Sequence, residues 1–82
     1  MNIQKITNAL GTRYSIPIDT VTDHGPIPPM IEVFYLKSGG PPEIHIQHLT
    51  AASPTLEDLP ALIAALTRVL EVDQEHRKSQ KG

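Results

Sequence analysis

The stretch Leu59-Pro60-Ala61-Leu62-Ile63-Ala64-Ala65-Leu66-Thr67-Arg68-Val69-Leu70-Glu71-Val72-Asp73-Gln74-Glu75-His76-Arg77 is the one long segment of the chain with a clear period. On a helical wheel, Leu59, Leu62, Ile63, Leu66, Val69 and Leu70 fall within an arc of about 120°. Ala64, Thr67, Arg68, Glu71, Gln74 and Glu75 lie opposite and suit water. The spacing therefore predicts an amphipathic helix over 59–77. Glu57 and Asp58 at its start, and His76, Arg77 and Lys78 at its end, complement the macrodipole. Pro60 locates the first turn. With Asp58 as N-cap, Pro60 sits where no N–H is needed; a start at Thr55 would place it where one is. The expectation is a single turn over 54–57 and the main helix after Asp58.

Upstream, prolines at 17, 26, 28, 29, 41, 42 and 54 exclude any other long helix. From Thr12 to Ile18, Tyr14, Ile16 and Ile18 alternate with Arg13, Ser15 and Pro17, which predicts a half-buried strand. Pro17 cannot donate to a ladder, so this strand is expected at an edge or with that nitrogen facing out. Met30 to Lys37 carries apolar groups on both faces, as a central strand would. Glu43 to Leu49 returns as its hairpin partner through Ser38-Gly39-Gly40-Pro41-Pro42. Residues 2–7 read as a short strand or irregular arm, and Asn8-Ala9-Leu10-Gly11 as a turn. Over 19–29, Asp23-His24-Gly25-Pro26 is turn chemistry and three prolines stiffen the path. A stiffened connector is the plain reading of this loop, with a docking surface as the alternative.

These elements predict an α+β fold: a small antiparallel sheet of three to four strands followed by one C-terminal amphipathic helix packed on one face. A single domain is expected over 1–78, with 79–82 as a frayed C-terminal tail. The expected core is Tyr14, Ile16, Ile18, Ile31, Val33, Ile44, Ile46, Leu59, Leu62, Ile63, Leu66, Val69 and Leu70.

Composition narrows function by exclusion. The 82 residues include no cysteine, so neither a disulfide nor a thiolate metal site supports a core of this size. The N-terminus has no apolar run of signal-peptide length and no stretch could span a membrane, so a cytoplasmic protein is expected. A net charge of −2 supplies no basic field to gather nucleic acid. Phe34, Tyr14 and Tyr35 are the whole aromatic complement.

Chemistry-bearing motifs are sparse. His45 and His48 are imidazoles of the right type for zinc, but at i and i+3 on a strand they point to opposite faces. Glu43 and His45 share a face, and His24 could only join them from a loop. Surface histidines are the plainer reading, so no metal and no cofactor are expected. No Gly-x-Ser-x-Gly elbow or phosphate loop occurs, and the acidic residues are scattered, so no enzyme activity is expected.

The helix's apolar arc is wider than one sheet face requires: Ala61, Ala65 and Val72 extend it to about 200°. Phe34 and Leu36 stand on the strand face opposite Val33 and Tyr35, where one helix cannot cover them. The reading is a non-catalytic protein-interaction module, a homodimer that also occupies a surface on another protein. Phe34, Leu36, Leu49, Ala61, Ala65 and Val72 are its expected interface. The strands-then-helix plan without a catalytic motif resembles small stand-alone modulators, bacteriophage-encoded ones among them, a likeness of plan rather than of motif. The alternative is a single-stranded nucleic-acid binder using Tyr14, Tyr35, Arg13 and Lys37 on an open sheet face, with a basic tail.

Overall fold

The computed structural model describes residues 3–21, 24–49 and 56–80. Four strands come first: β1 (Gln4–Asn8), β2 (Gly11–Pro17), β3 (Met30–Leu36) and β4 (Glu43–Gln47). They lie in the sheet in chain order, each antiparallel to the next. A single 3-10 turn, Leu56–Asp58, leads into the helix α1 (Leu59–Gln80). The fold is α+β, a four-stranded antiparallel sheet followed by one C-terminal helix, as the alternation and the helical period predict. Asn2 of the first expected strand, Asp23 of the expected turn, the 50–54 crossover with Thr55, and residues 81–82 lie outside the described residues.

Each reversal has a local cause. Between β1 and β2, Asn8 Oδ1 accepts from the N–H groups of Leu10 at 2.8 Å and Gly11 at 3.3 Å, so a side chain closes the turn. A Cβ on Gly11 would overlap the carbonyl oxygen of Tyr35 on β3, so only glycine fits there. Between β3 and β4, the Gly39 N–H donates to the Leu36 carbonyl at 3.1 Å, with both Gly39 and Gly40 at positive φ. The expected hairpin is present, but β4 stops at Gln47 because His48 takes a φ of 63°.

β2 is central in the sheet, so Pro17 does not mark an edge strand. The neighbouring Ile18 N–H reaches the Pro29 carbonyl at 3.0 Å, on the β3 side. The Pro17 nitrogen therefore points the other way, past the start of β1, where Gln4 pairs with Ser15. Among the described residues, no ladder partner of β1 faces that nitrogen.

Tyr14, Ile16, Ile18, Ile31 and Val33 form the sheet half of the core, with Tyr14 opposite Val33 and Ile16 opposite Ile31. Burying an isoleucine side chain this completely stabilises by roughly 1.5–3 kcal/mol. α1 lies over β2 and β3 and reaches neither edge strand. Its buried residues are Ala65, Val69 and Val72, with Ala61 and Leu62 packed beside them.

The helix is rotated about its axis from the expected setting. Leu59, Ile63, Leu66 and Leu70, expected in the core, are exposed, while Ala61, Ala65 and Val72 face the sheet. Ile44 and Ile46 also remain exposed, since β4 lies beyond the helix. Polar anchors explain the rotation. Asp58 and His76 lie on the same side of the wheel as Ala65 and Asp73 at the edge of that side, and each bonds to the sheet or to the loop that follows β2. An apolar arc about 200° wide leaves several rotations open, and these bonds select one. The helix also outlasts its expected end. Ser79 Oγ donates to the Glu75 carbonyl at 3.1 Å, and no proline or glycine interrupts residues 61–80.

Candidate protein interface

Turned this way, α1 presents Leu59, Ile63, Leu66 and Leu70 outward. They are spaced four, three and four residues apart, the seam spacing of a coiled coil. Ile63 is 60% and Leu70 68% exposed. β4 flanks this stripe and, among the described residues, pairs only with β3. Ile44 and Ile46 stand on the helix side of the sheet, opposite Val33 and Ile31, yet are 55% and 50% exposed. A groove of ≈ 140 Å³ lies between Ile44 and the helix, lined by Pro42, Ile44, Val69 and Leu70 together with Asp73 and Arg77.

The other flank of α1 is charged. Arg68 and Glu71 pair at 2.6 Å and, with Glu75, line a hollow beside Ile3 at the β1 end of the sheet. Charge thus faces β1 and apolar surface faces β4. The helix stripe and the β4 isoleucines are thus exposed on the same side of the molecule, and Leu70 and Ile44 line one groove between them.

The six residues expected at the interface do not meet on one surface. Ala65 and Val72 are buried against the sheet, which removes them from any outer surface, and Ala61 is partly buried beside them. Phe34 and Leu36 do stand on the open face of the sheet, where Phe34 meets His45 edge-on at 5.4 Å and shares a hollow with Leu10 and Leu36. Leu49 follows the end of β4 and is half-buried. Leu59, Ile63, Leu66 and Leu70, exposed in their place, are not among the residues expected at the interface. Their four-three-four spacing is the available signal, and by hydrophobicity alone it fits a core stripe equally well.

Three polar clusters hold the fold in register. At the C-terminal half of α1, the Tyr35 hydroxyl donates to Asp73 Oδ1 at 2.9 Å, and Asp73 Oδ2 pairs with Arg77 at 2.9 Å. The Tyr35 ring stacks on His76 at 3.8 Å, and Tyr14 Oη shares a hydrogen bond with His76 Nδ1 at 3.1 Å. Burial, reinforced by the hydrogen bond and charge of Asp73, pushes the Tyr35 phenol far above its ordinary range. Burial, then the charge of Lys5, lowers His76 below the usual imidazole value against the pull of Asp73. Tyr35 is held as a donor and His76 as a neutral ring, which suits a structural lock.

At the other end of α1, Asp58 is buried and accepts from the Val21 N–H at 2.8 Å, while His24 Nε2 lies 3.0 Å from its second oxygen. This pair ties the loop after β2 to the start of the helix. On the open face, Glu32 is buried although no helix covers it. Arg13 lies 3.4 Å from it, Ser15 donates at 3.4 Å, and the Gln47 amide donates to its other oxygen. Partners from β2 and β4 therefore surround a β3 carboxylate, as a buried charge requires.

His45 and Glu43 do share a face, at 3.3 Å, and both are exposed. Among the described residues no three His, Cys, Asp or Glu side chains stand close enough to hold a metal ion. None of the described helices is long and apolar enough to cross a membrane. The nucleic-acid residue set divides: Tyr14 and Tyr35 lie on the face covered by α1, Arg13 on the opposite face, and Lys37 in the turn after β3. Comparison with protein-family models, curated proteins and solved structures finds no match to this chain.

Proposed function

We propose that this chain is a non-catalytic protein-interaction module, a modulator or inhibitor that acts in the cytoplasm by docking an apolar surface against protein, a second copy of itself included. One observation carries the reading: six large apolar side chains, Leu59, Ile63, Leu66 and Leu70 on α1 and Ile44 and Ile46 on β4, are exposed on the β4 side of the helix. Such a surface left in water favours association, and its burial is the main favourable term in most protein–protein contacts. The polar clusters support the same reading, because each is used up in fastening sheet, loop and helix together.

Salt is the discriminating variable. An apolar contact strengthens slightly or holds as salt rises, whereas binding through phosphate contacts weakens steeply. Immobilised protein is expected to retain protein partners in high salt and to lose them on Leu66→Asp. Tight, salt-sensitive binding of single-stranded DNA or RNA would overturn the proposal in favour of the alternative.

A further inference from the structure

Among the described residues, Arg13, Arg68, Arg77 and Lys78 each have a carboxylate within ion-pair distance, whereas Lys5 and Lys37 have none. Both of these lysines belong to the helix side of the sheet. Lys5 pairs with Tyr14 across β1 and β2, its Nζ 5.7 Å from the centre of the Tyr14 ring. Lys37 follows β3 and lines a hollow of ≈ 260 Å³ with Thr7, Thr12, Tyr35 and His76, and no carboxylate shares that lining. We propose that this hollow binds a phosphate monoester group, held by Lys37, His76 and the Thr7–Thr12 hydroxyl pair, with the charge of Lys5 close by. The site is separate from the apolar stripe of α1 and does not depend on the docking role.

Donors remain on three of its walls. Thr7 Oγ1 and Thr12 Oγ1 lie 3.3 Å apart and share one hydrogen bond, so one of the two hydroxyl protons is left to donate. His76 Nδ1 is engaged by Tyr14 Oη at 3.1 Å, and Nε2 has no hydrogen-bond partner among the described residues. When Tyr14 donates, the proton of the neutral ring stands on Nε2, which is then a donor. Stacking on Tyr35 at 3.8 Å fixes the ring at the wall of the hollow. A helical side chain leans toward the N-terminus, so this ring stands away from the free carbonyls of the last turn, which would repel an anion.

Charge and size select the ligand. Burial first, and then the charge of Lys5, hold His76 below the ordinary imidazole value although Asp73 pulls the other way. The ring thus sits in a positive local field on a chain whose net charge is −2, and a bound anion would offset that field. Lysine meets phosphate as a point charge, whereas planar carboxylates favour the guanidinium fork, and Arg77 is already engaged by Asp73 at 2.9 Å. Two ammonium groups match the charge of a phosphate monoester, about −1.5 to −2 near neutral pH, better than the single charge of a phosphodiester. Clefts for drug-sized ligands run to about 300–1,000 Å³, so this smaller hollow fits the phosphate on a short ester or on a phosphorylated side chain.

NMR at constant ionic strength, with inorganic phosphate replacing chloride, tests the site. Phosphate should shift the Thr7, Thr12 and Lys37 amide signals saturably at millimolar concentration and raise the His76 ring midpoint. His45, exposed on the opposite face of the sheet, should keep its own midpoint. Lys37→Gln should weaken binding about tenfold, the loss of one hydrogen bond to a charged group, with the helical circular dichroism unchanged. Glycerol phosphate bound as tightly as a short phosphoserine peptide would assign the site to small esters; a peptide bound about tenfold tighter would assign it to a phosphorylated side chain. Shifts that grow without saturating, or equal movement of His45 and His76, would overturn the site. Displacement of phosphate by a single-stranded oligonucleotide lacking a terminal phosphate would overturn the monoester in favour of a phosphodiester.

Discussion

Tyr35 on β3 donates its hydroxyl to Asp73 on α1 at 2.9 Å, joining residues 38 apart in the chain and fixing which side of the helix meets the sheet. Asp73 stands at the edge of the buried side, seven residues after Leu66, while His76 near its centre bonds Tyr14; held at both points, the helix turns Ala65 and Val72 to the sheet and leaves Leu66 and Leu70 exposed. The apolar surface is a consequence of that rotation.

The rotation is testable by paired substitutions. Ala65 is fully buried, so Ala65→Leu must overpack the helix–sheet contact and should destabilise by about 1–3 kcal/mol or more. Leu66→Ala, measured by urea unfolding at a dilution where copies are separate, should cost under about 1 kcal/mol, because an exposed leucine leaves no cavity. The opposite ranking would mean that the leucine stripe faces the sheet.

Removing the Tyr35 hydroxyl should cost stability and change its pH dependence. Tyr35→Phe loses a hydrogen bond to a carboxylate and should destabilise by about 1–2 kcal/mol. The folded phenol's pKa is raised, so the folded state favours the protonated form. That contribution is complete below the ordinary tyrosine range and is lost as pH rises through and beyond it. The chain has two tyrosines and no tryptophan, so absorbance near about 295 nm, where phenolate absorbs, reads the ionisation directly. Parent protein should lose stability at alkaline pH more steeply than Tyr35→Phe. Identical slopes would show that the phenol is not held by Asp73.

His76 predicts the opposite sign on the acid side. Its folded pKa is lowered, so the neutral ring is favoured in the folded state. The contribution is complete above the ordinary imidazole value and fades as pH falls through the folded value. In a proton NMR titration the His76 ring should change later, on acidification, than an unperturbed histidine, and Lys5→Gln should move its midpoint upward. A midpoint at or above the ordinary value would contradict the placement of the ring against Tyr35.

Asp58 should matter far more than a helix cap. Asp58→Ala leaves His24 buried without this carboxylate and the Val21 N–H without its acceptor, at a cost of about 3–5 kcal/mol. Hydrogen exchange at Val21 should accelerate in the variant. An ordinary cap loss of about 1 kcal/mol with Val21 still protected would mean that the loop is fastened by other contacts.

Much of the fold was legible in particular residues. Tyr14, Ile16 and Ile18 against Ile31 and Val33 set the buried face by simple alternation, and Pro60 located the helix start after Asp58. Glycines 39 and 40 marked the hairpin. The candidate interface was legible only as a surplus. The apolar arc of 59–72 was too wide for one sheet face, but its two halves could not be ranked, because hydrophobicity alone favoured Leu59, Ile63, Leu66 and Leu70 for the core.

What the sequence by itself determined is local: which segments are extended, where they turn, and that one long helix follows them. Steric preferences of proline and glycine and the periods of two and 3.6 act over a few residues, so they can be read in order along the chain. Only the tertiary structure decided which half of the helix is buried and which residues are left as a surface. That choice depends on His24 meeting Asp58, Tyr35 meeting Asp73 and Tyr14 meeting His76, contacts spanning 34, 38 and 62 residues. Each bond exists only once the sheet has formed, and together they outweigh the larger side chains of the opposite stripe, which keeps Leu66 and Leu70 at the surface.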